Sequence, residues 1–251
     1  MTDTARFSWT VLLPVKVLAR AKSRLAVLAG DRRRELALAL ASDTVAAVLA
    51  CPEVARVVVV TSDPVAGPLL GALGAIVVPD EPADLSATLG SLDGADVAGV
   101  LGDLGIQDSL NAALRHGAAV AARRWPGAGL AALTADLPAV SPAELAAALR
   151  AAGTHPGRAA FVPDAAGVGT TLYAVPPTGE FRPLFGGASR ARHAAAGAAE
   201  LDFDVLAGLR RDVDTPGDLR AALALGVGPF TRAVAADLLA KSLPPGRSAF
   251  A

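Results

Sequence analysis

The 251 residues carry 23 basic and 24 acidic side chains and only 4% aromatics. That balance excludes a polyanion-binding surface, which needs a basic excess, and stacking platforms for single-stranded nucleic acid. The one cysteine, Cys51, excludes an internal disulfide and a cysteine-based zinc site and fits a reducing cytoplasm.

The apolar 53% is spread through the chain. It is enough for a sizeable core, but no run reaches the roughly 18 residues of a membrane span. The N-terminus shows no signal-peptide pattern. A single cytoplasmic domain over 1–251 is expected, with no membrane or nucleic-acid partner. In chain order, Trp9 to Val15 is an apolar run that predicts a buried first strand. A polar, basic loop follows from Lys16 to Arg24. Apolar residues at helical spacing predict a helix from about Arg32 to Leu49, with Cys51 as a small core residue at its end. Val57 to Val60 predicts a second buried strand, ending in Thr61-Ser62-Asp63-Pro64. After a short helix, Ala75 to Val78 predicts a third. Strands that are apolar throughout and alternate with helices imply an α/β fold. Its mostly parallel, Rossmann-like sheet carries helices on both faces.

The stretch from about Asp84 to Ile106 has no period and is rich in Gly and Asp. It predicts an insertion or lid at the rim of the ligand crevice, outside the sheet. A helix from about Ser109 to Arg124 and a strand from Leu130 to Thr134 come next. Ser141-Pro142-Ala143-Glu144 has the N-cap, first-turn Pro and Glu of a capping box. Ala159 to Pro163 and Thr170 to Val175 form a hairpin-like pair around Asp164-Ala165-Ala166-Gly167. Thr215-Pro216-Gly217-Asp218 starts another helix by the same capping logic, and 241–251 is a tail.

Four places carry chemistry. The first is the basic loop with Lys16, Lys22 and Arg24. Ligands bind outside the carboxyl ends of parallel strands, and cations there neutralise a triphosphate. The loop matches neither a Walker A nor a dinucleotide fingerprint, and a solvated loop is the plain alternative. The second is Thr134-Ala135-Asp136-Leu137-Pro138, where an apolar strand stops at an acid. Asp136 is either a Mg²⁺ ligand or a turn Asp capping its own backbone. The third is Arg211-Asp212-Val213-Asp214-Thr215-Pro216. Alternation sets Asp212 and Asp214 on one side. Asp214 or Thr215 has helix capping as a plain role, so Asp212 is the better metal candidate. The fourth joins Gly167 to Thr171 with Phe185 to Arg190. Glycine permits close approach of backbone to ligand, and a helix starting near Ser189 offers N–H groups. The alternative is two ordinary turns with Ser189 as an N-cap.

The histidines are scattered. His116 is expected on an exposed helix face and His155 in a loop. His193, one helical turn after Ser189, belongs either near the ligand or at the surface. No Ser-His-Asp or Cys-His arrangement is present. A phosphate acceptor is already an anionic nucleophile, so such a reaction needs positioning and charge neutralisation instead of a base.

The ordered set LPVK…AKSRL, LNAAL, ADLPAV, GVGTT, FGGAS…H and RRDVDTPGDL runs from about residue 9 to 225. It resembles the 2-phospho-L-lactate or phosphoenolpyruvate guanylyltransferases of deazaflavin coenzyme F420 biosynthesis, which are similar in fold to the molybdenum-cofactor nucleotidyltransferases. The resemblance implies a nucleotidyltransferase (GT-A-like) fold and Mg²⁺-dependent transfer of GMP from GTP with release of pyrophosphate. The acceptor is a small phosphorylated three-carbon acid. Phosphoenolpyruvate would give enolpyruvyl-diphospho-guanosine, and 2-phospho-L-lactate is the other candidate. Thr171, Gly186 and Ser189 are implied for the acceptor, and Asp136 and Asp212 for the metal. Lys16, Lys22, Arg24 and Asn111 are implied for the nucleotide, with Lys22 also catalytic. Two departures stand out: Ser109 where a Gly normally precedes LNAAL, and the 84–106 stretch. The alternatives are a nucleotidyltransferase of the same fold with a pterin or sugar-phosphate acceptor, or a non-catalytic nucleotide-binding module.

Overall fold

A computed structural model of the chain describes residues 7–16, 18, 23–80, 107–201 and 206–242. Its strands are β1 (Trp9–Pro14), β2 (Val54–Val60), β3 (Ile76–Val78), β4 (Gly129–Leu133), β5 (Ala160–Pro163), β6 (Thr170–Val175) and β7 (Ala199–Glu200). They form one seven-stranded sheet in the order β3-β2-β1-β4-β6-β5-β7. β3, β2, β1 and β4 pair in parallel, and so do β5 and β7. β6 alone is reversed, lying antiparallel between β4 and β5. The mostly parallel sheet and the late hairpin both match expectation. The chain lays β2 and β3 on one side of β1 and then crosses to β4 on the other. A doubly wound sheet opens its ligand crevice at such a reversal.

The helices are α1 (Ala26–Ala29), α2 (Arg33–Leu49), α3 (Ala66–Ala72), α4 (Gln107–Arg124), α5 (Pro142–Gly153), α6 (Ser189–Ala195), α7 (Pro216–Leu225) and α8 (Pro229–Ser242). Successive strand side chains face opposite ways, so β1 feeds two cores. Val11 and Leu13 pack with Ala41 and Val45 of α2 and Leu145 and Leu149 of α5. Leu12 packs on the other face with Leu114 and Ala118 of α4. A third cluster joins Leu36 and Leu40 of α2 to Val213, Leu219, Val234 and Leu238. α2 is thus buried on two sides, against the sheet and against α7 and α8. Even its Asp43 is buried, and its carboxylate accepts the N–H groups of Phe230 (3.1 Å) and Thr231 (2.7 Å) at the start of α8. Gly228 lies against that carboxylate, where a Cβ has no room.

Both expected N-caps form and both close capping boxes, Ser141 with Glu144 on α5 as expected and Thr215 with Asp218 on α7. Cys51 is buried just after α2, and burial pushes its thiol pKa up. Among the described residues no helix is long and apolar enough to cross a membrane. The 84–106 stretch expected at the crevice rim lies outside the described residues. So does the tail beyond Ser242, where α8 ends.

Candidate active site

A cavity of about 440 Å³ opens at the carboxyl ends of β1 and β4. It brings together Lys16, Asp136, Gly186, Ser189 and Asp212, all singled out from sequence. Thr134, Asp164, Gly169, Thr170 and Asp214 line it as well.

Asp136 is fastened mainly through the main chain around it. Thr134 donates its N–H to Thr171 O (3.0 Å) as β4 ends. Val213 donates to Asp136 O (3.1 Å) and Gly228 to Pro138 O (3.0 Å). Leu137 donates to the Thr44 hydroxyl of α2 (3.0 Å). The Val213 bond ties the second acidic segment to the first. Val213 is wholly buried, so its neighbours Asp212 and Asp214 face the other way, and both line the cavity. Thr215 performs the capping of α7, so Asp214 is not its N-cap. Mg²⁺ takes one or two protein carboxylates and completes its octahedron with water and phosphate oxygens. The Asp136 and Asp212 pair fits that donor chemistry. Among the described residues no group of three or more His, Cys, Asp or Glu forms an all-protein cage.

On the β1 side, Lys16 is exposed at the cavity. The loop beyond it is anchored by Asp63, whose carboxylate accepts the N–H of Leu18 (2.8 Å) as well as those of Val65 and Ala66. Burial alone would raise this carboxyl's pKa, but the three N–H donors outweigh it and hold it below the ordinary value. Arg24 is exposed on a short 3-10 turn and is not among the cavity-lining residues. Lys22 lies outside the described residues.

The opposite wall is a glycine loop held by side chains. Asn111 of α4 accepts the Phe185 N–H (2.9 Å) and donates to the Phe185 carbonyl (3.1 Å). Asn111, expected at the nucleotide, is not among the residues lining this cavity. Arg192 donates to the carbonyls of Phe185 and Gly186. Gly186 and Gly187 have φ of 97° and 43°, which only glycine adopts without strain. Among the described residues, neither of their N–H groups donates to a protein acceptor. Ser189 is not an N-cap: Ala188 holds that position without a side-chain bond. Two N–H groups expected to be free at the start of α6 are used, Ser189's by Gly187 O and Arg190's by Val168 O.

Thr170 and Thr171 part where β6 shifts register against β5, between Val162 and Pro163. Thr170 lines the cavity. Thr171 does not, and its hydroxyl reaches across the sheet to Val162 O at 3.5 Å. His193 is not at the surface. It is wholly buried, with its ring stacked on Tyr173 at 4.7 Å and flanked by Phe161 and Phe185. Nε2 accepts the Leu184 N–H (2.9 Å), and Nδ1 lies 3.0 Å from Thr170 Oγ1. Burial, helped by the Arg192 charge and opposed by a bond with the Ser189 backbone, lowers its pKa to about 4.

No protein-family model matches the sequence. Individual relatives do. The phosphoenolpyruvate guanylyltransferase of Thermomonospora curvata is 56% identical over 95% of this chain and 93% of its own. That of Streptomyces coelicolor is 56% identical over 92% and 97%. The chain belongs to the phosphoenolpyruvate guanylyltransferase family. Solved structures agree on the fold. A Desulfovibrio desulfuricans protein assigned to the nucleotide-diphospho-sugar transferases matches with a TM-score of 0.62 at 17% identity, covering 93% of this chain and 94% of that one. A 4-diphosphocytidyl-2C-methyl-D-erythritol synthase matches with 0.53 at 12%, covering 87% and 99%.

Within this family member, sequence reasoning missed Asp63 as the anchor of the basic loop and Thr170 as a cavity residue. An acid before Pro at a strand end was the available signal for Asp63. Thr170 left no such signal, because β6 shifts register against β5 between Val162 and Pro163 and strand alternation does not carry through to it.

Proposed function

We propose that the chain transfers GMP from GTP to phosphoenolpyruvate, forming enolpyruvyl-diphospho-guanosine and releasing pyrophosphate. The carrying observation is one cavity that gathers a cation, Lys16, two acids on linked segments, Asp136 and Asp212, and an anion-receptive wall, Gly186 and Ser189. A phosphate oxygen of the acceptor attacks the α-phosphorus of GTP, the bond from that phosphorus to the bridging oxygen breaks, and pyrophosphate leaves. The attacking oxygen is already anionic, so no base is needed, and no His or Cys is among the described residues lining the cavity. Lys16 neutralises triphosphate charge. Asp136 and Asp212 would hold Mg²⁺, which when bound would neutralise charge developing on the reacting phosphate oxygens. The Gly186 N–H and the Ser189 hydroxyl take the acceptor's carboxylate and non-attacking oxygens, leaving one phosphate oxygen aimed at the reaction. Rate enhancement on this reading comes from positioning and fixed electrostatics.

Pyrophosphate release tests it, crossing nucleoside triphosphates with phosphoenolpyruvate, 2-phospho-L-lactate and 3-phosphoglycerate. GTP with phosphoenolpyruvate is expected to be fastest. Release that ignores the acceptor rejects the reading. Ser189→Ala is expected to raise the acceptor KM about tenfold, the scale of one hydrogen bond to a charged group, while GTP affinity holds. A lower melting temperature with an unchanged acceptor KM rejects the binding role of Ser189.

A further inference from the structure

The imidazole of His193 has its proton placed by its neighbours. The Leu184 N–H is only a donor, so Nε2, 2.9 Å away, is the acceptor. The ring is enclosed by Tyr173, Phe161 and Phe185, and a neutral ring with a bare Nε2 carries its one hydrogen on Nδ1. That hydrogen faces Thr170 Oγ1 at 3.0 Å and is shared with the Ser189 main chain; with Nδ1 already protonated, the threonine oxygen can only accept from it. The hydroxyl has a single proton of its own, and it has no other hydrogen-bond partner among the described residues. Thr170 is 5% exposed and lines the cavity beside Gly186 and Ser189. A buried donor in that position is completed by an anionic oxygen entering the cavity.

We propose that Thr170 is a further acceptor-binding residue, a hydroxyl donor to the anionic oxygens of the three-carbon acid, and that His193 is the positioning residue that sets its proton. The proposal rests on the guanylyltransferase reading for the identity of the acid. The same imidazole holds Leu184, at the entrance of the glycine loop, and Thr170, at the start of β6. One ring therefore registers the hydroxyl donor against the Gly186 amide. The carboxylate and phosphate of the acid meet donors from both.

Thr170→Val removes the hydroxyl and keeps the branched shape, whereas Thr170→Ser keeps the hydroxyl. In steady-state pyrophosphate release, Thr170→Val is expected to raise the phosphoenolpyruvate KM about tenfold, the scale of one hydrogen bond to a charged group, and to leave the GTP KM within about twofold. Thr170→Ser is expected to restore most of the acceptor affinity. A Val variant with the parent acceptor KM, or a Ser variant no better than Val, overturns the proposal. Calorimetric titration with phosphoenolpyruvate separates this outcome from failure of the functional reading. If the parent protein releases no pyrophosphate, the guanylyl-transfer reading falls. Thr170 is then judged by binding alone: weaker for Val and recovered for Ser supports it, and equal binding by parent and Val, or no binding by the parent, overturns it. Nitrogen NMR of the parent imidazole gives a check independent of any variant. A protonated Nδ1 with a bare Nε2 is expected at His193, and the opposite tautomer overturns the assignment.

Discussion

The acid wall and the glycine wall of the cavity are held in different ways. Around Asp136, the fastenings among the described residues are chiefly main chain to main chain: Thr134 to Thr171, Val213 to Asp136 and Gly228 to Pro138. Around Phe185 and Gly186, the fastenings come from the side chains of Asn111, His193 and Arg192. Main-chain bonds are indifferent to substitution and to pH near neutrality. Side-chain clamps are lost on substitution, and the His193 clamp also weakens at acidic pH. Substitutions on the acid wall should therefore report chemistry alone, and those on the glycine wall should mix binding with stability.

The sharpest contrast comes from Asp136→Asn, nearly isosteric on the rigid wall. Turnover is expected to fall on the order of 10²–10³, the scale for one well-placed electrostatic stabiliser, with an unchanged melting temperature. A variant keeping more than half the parent rate removes Asp136 from the chemistry.

The glycine wall should show itself through pH. His193 is held neutral with a pKa of about 4, against about 6.5 in an unfolded chain. Below about 6.5 the unfolded state takes up a proton that the folded state refuses. The stability due to this group is therefore fully present above that pH and is lost as pH falls towards 4, by about 3 kcal/mol in all. Urea unfolding of the parent and of His193→Gln across this window measures the difference. Parallel profiles for the two proteins contradict the buried neutral ring.

Asn111→Ala should come next, at about 2 kcal/mol, because it strips the Phe185 N–H of its buried acceptor. The acceptor KM should rise more than the GTP KM. The reverse ranking gives Asn111 a direct nucleotide role in place of the clamp. The smallest effect is expected from Thr44→Val, which removes the Leu137 tether and the hydroxyl's own bond to the Leu40 carbonyl within α2. About 1 kcal/mol of stability is expected to go, with turnover within about twofold, since the main-chain bonds around Asp136 remain. A large loss of activity breaks the contrast between the walls.

Much of the cavity was legible from strand ends. Lys16 after β1 and Asp136 after β4 follow from an apolar run stopping at a charge, and Asp212 follows from alternation about Val213. The hydrogen-bond partners of Asn111 and Thr171 were less legible. The two motif positions are local, but the group each serves lies elsewhere: Phe185 is 74 residues from Asn111, and the Thr171 hydroxyl turns to Val162 on β5.

By itself the sequence determined what is decided within a few residues. This covers the buried strands, the capping boxes at Ser141 and Thr215, and the acids that stop β4 and precede α7. Backbone preference and side-chain reach act over one or two turns, so these survive any tertiary arrangement. The tertiary structure alone decided the insertion of β6 between β4 and β5, the capping of α8 by Asp43 from 188 residues away and the pairing of His193 with Thr170 across 23 residues. The number of bonds a carboxylate or imidazole must make is written in its chemistry. Which distant backbone arrives to make them depends on how the helices pack against the sheet.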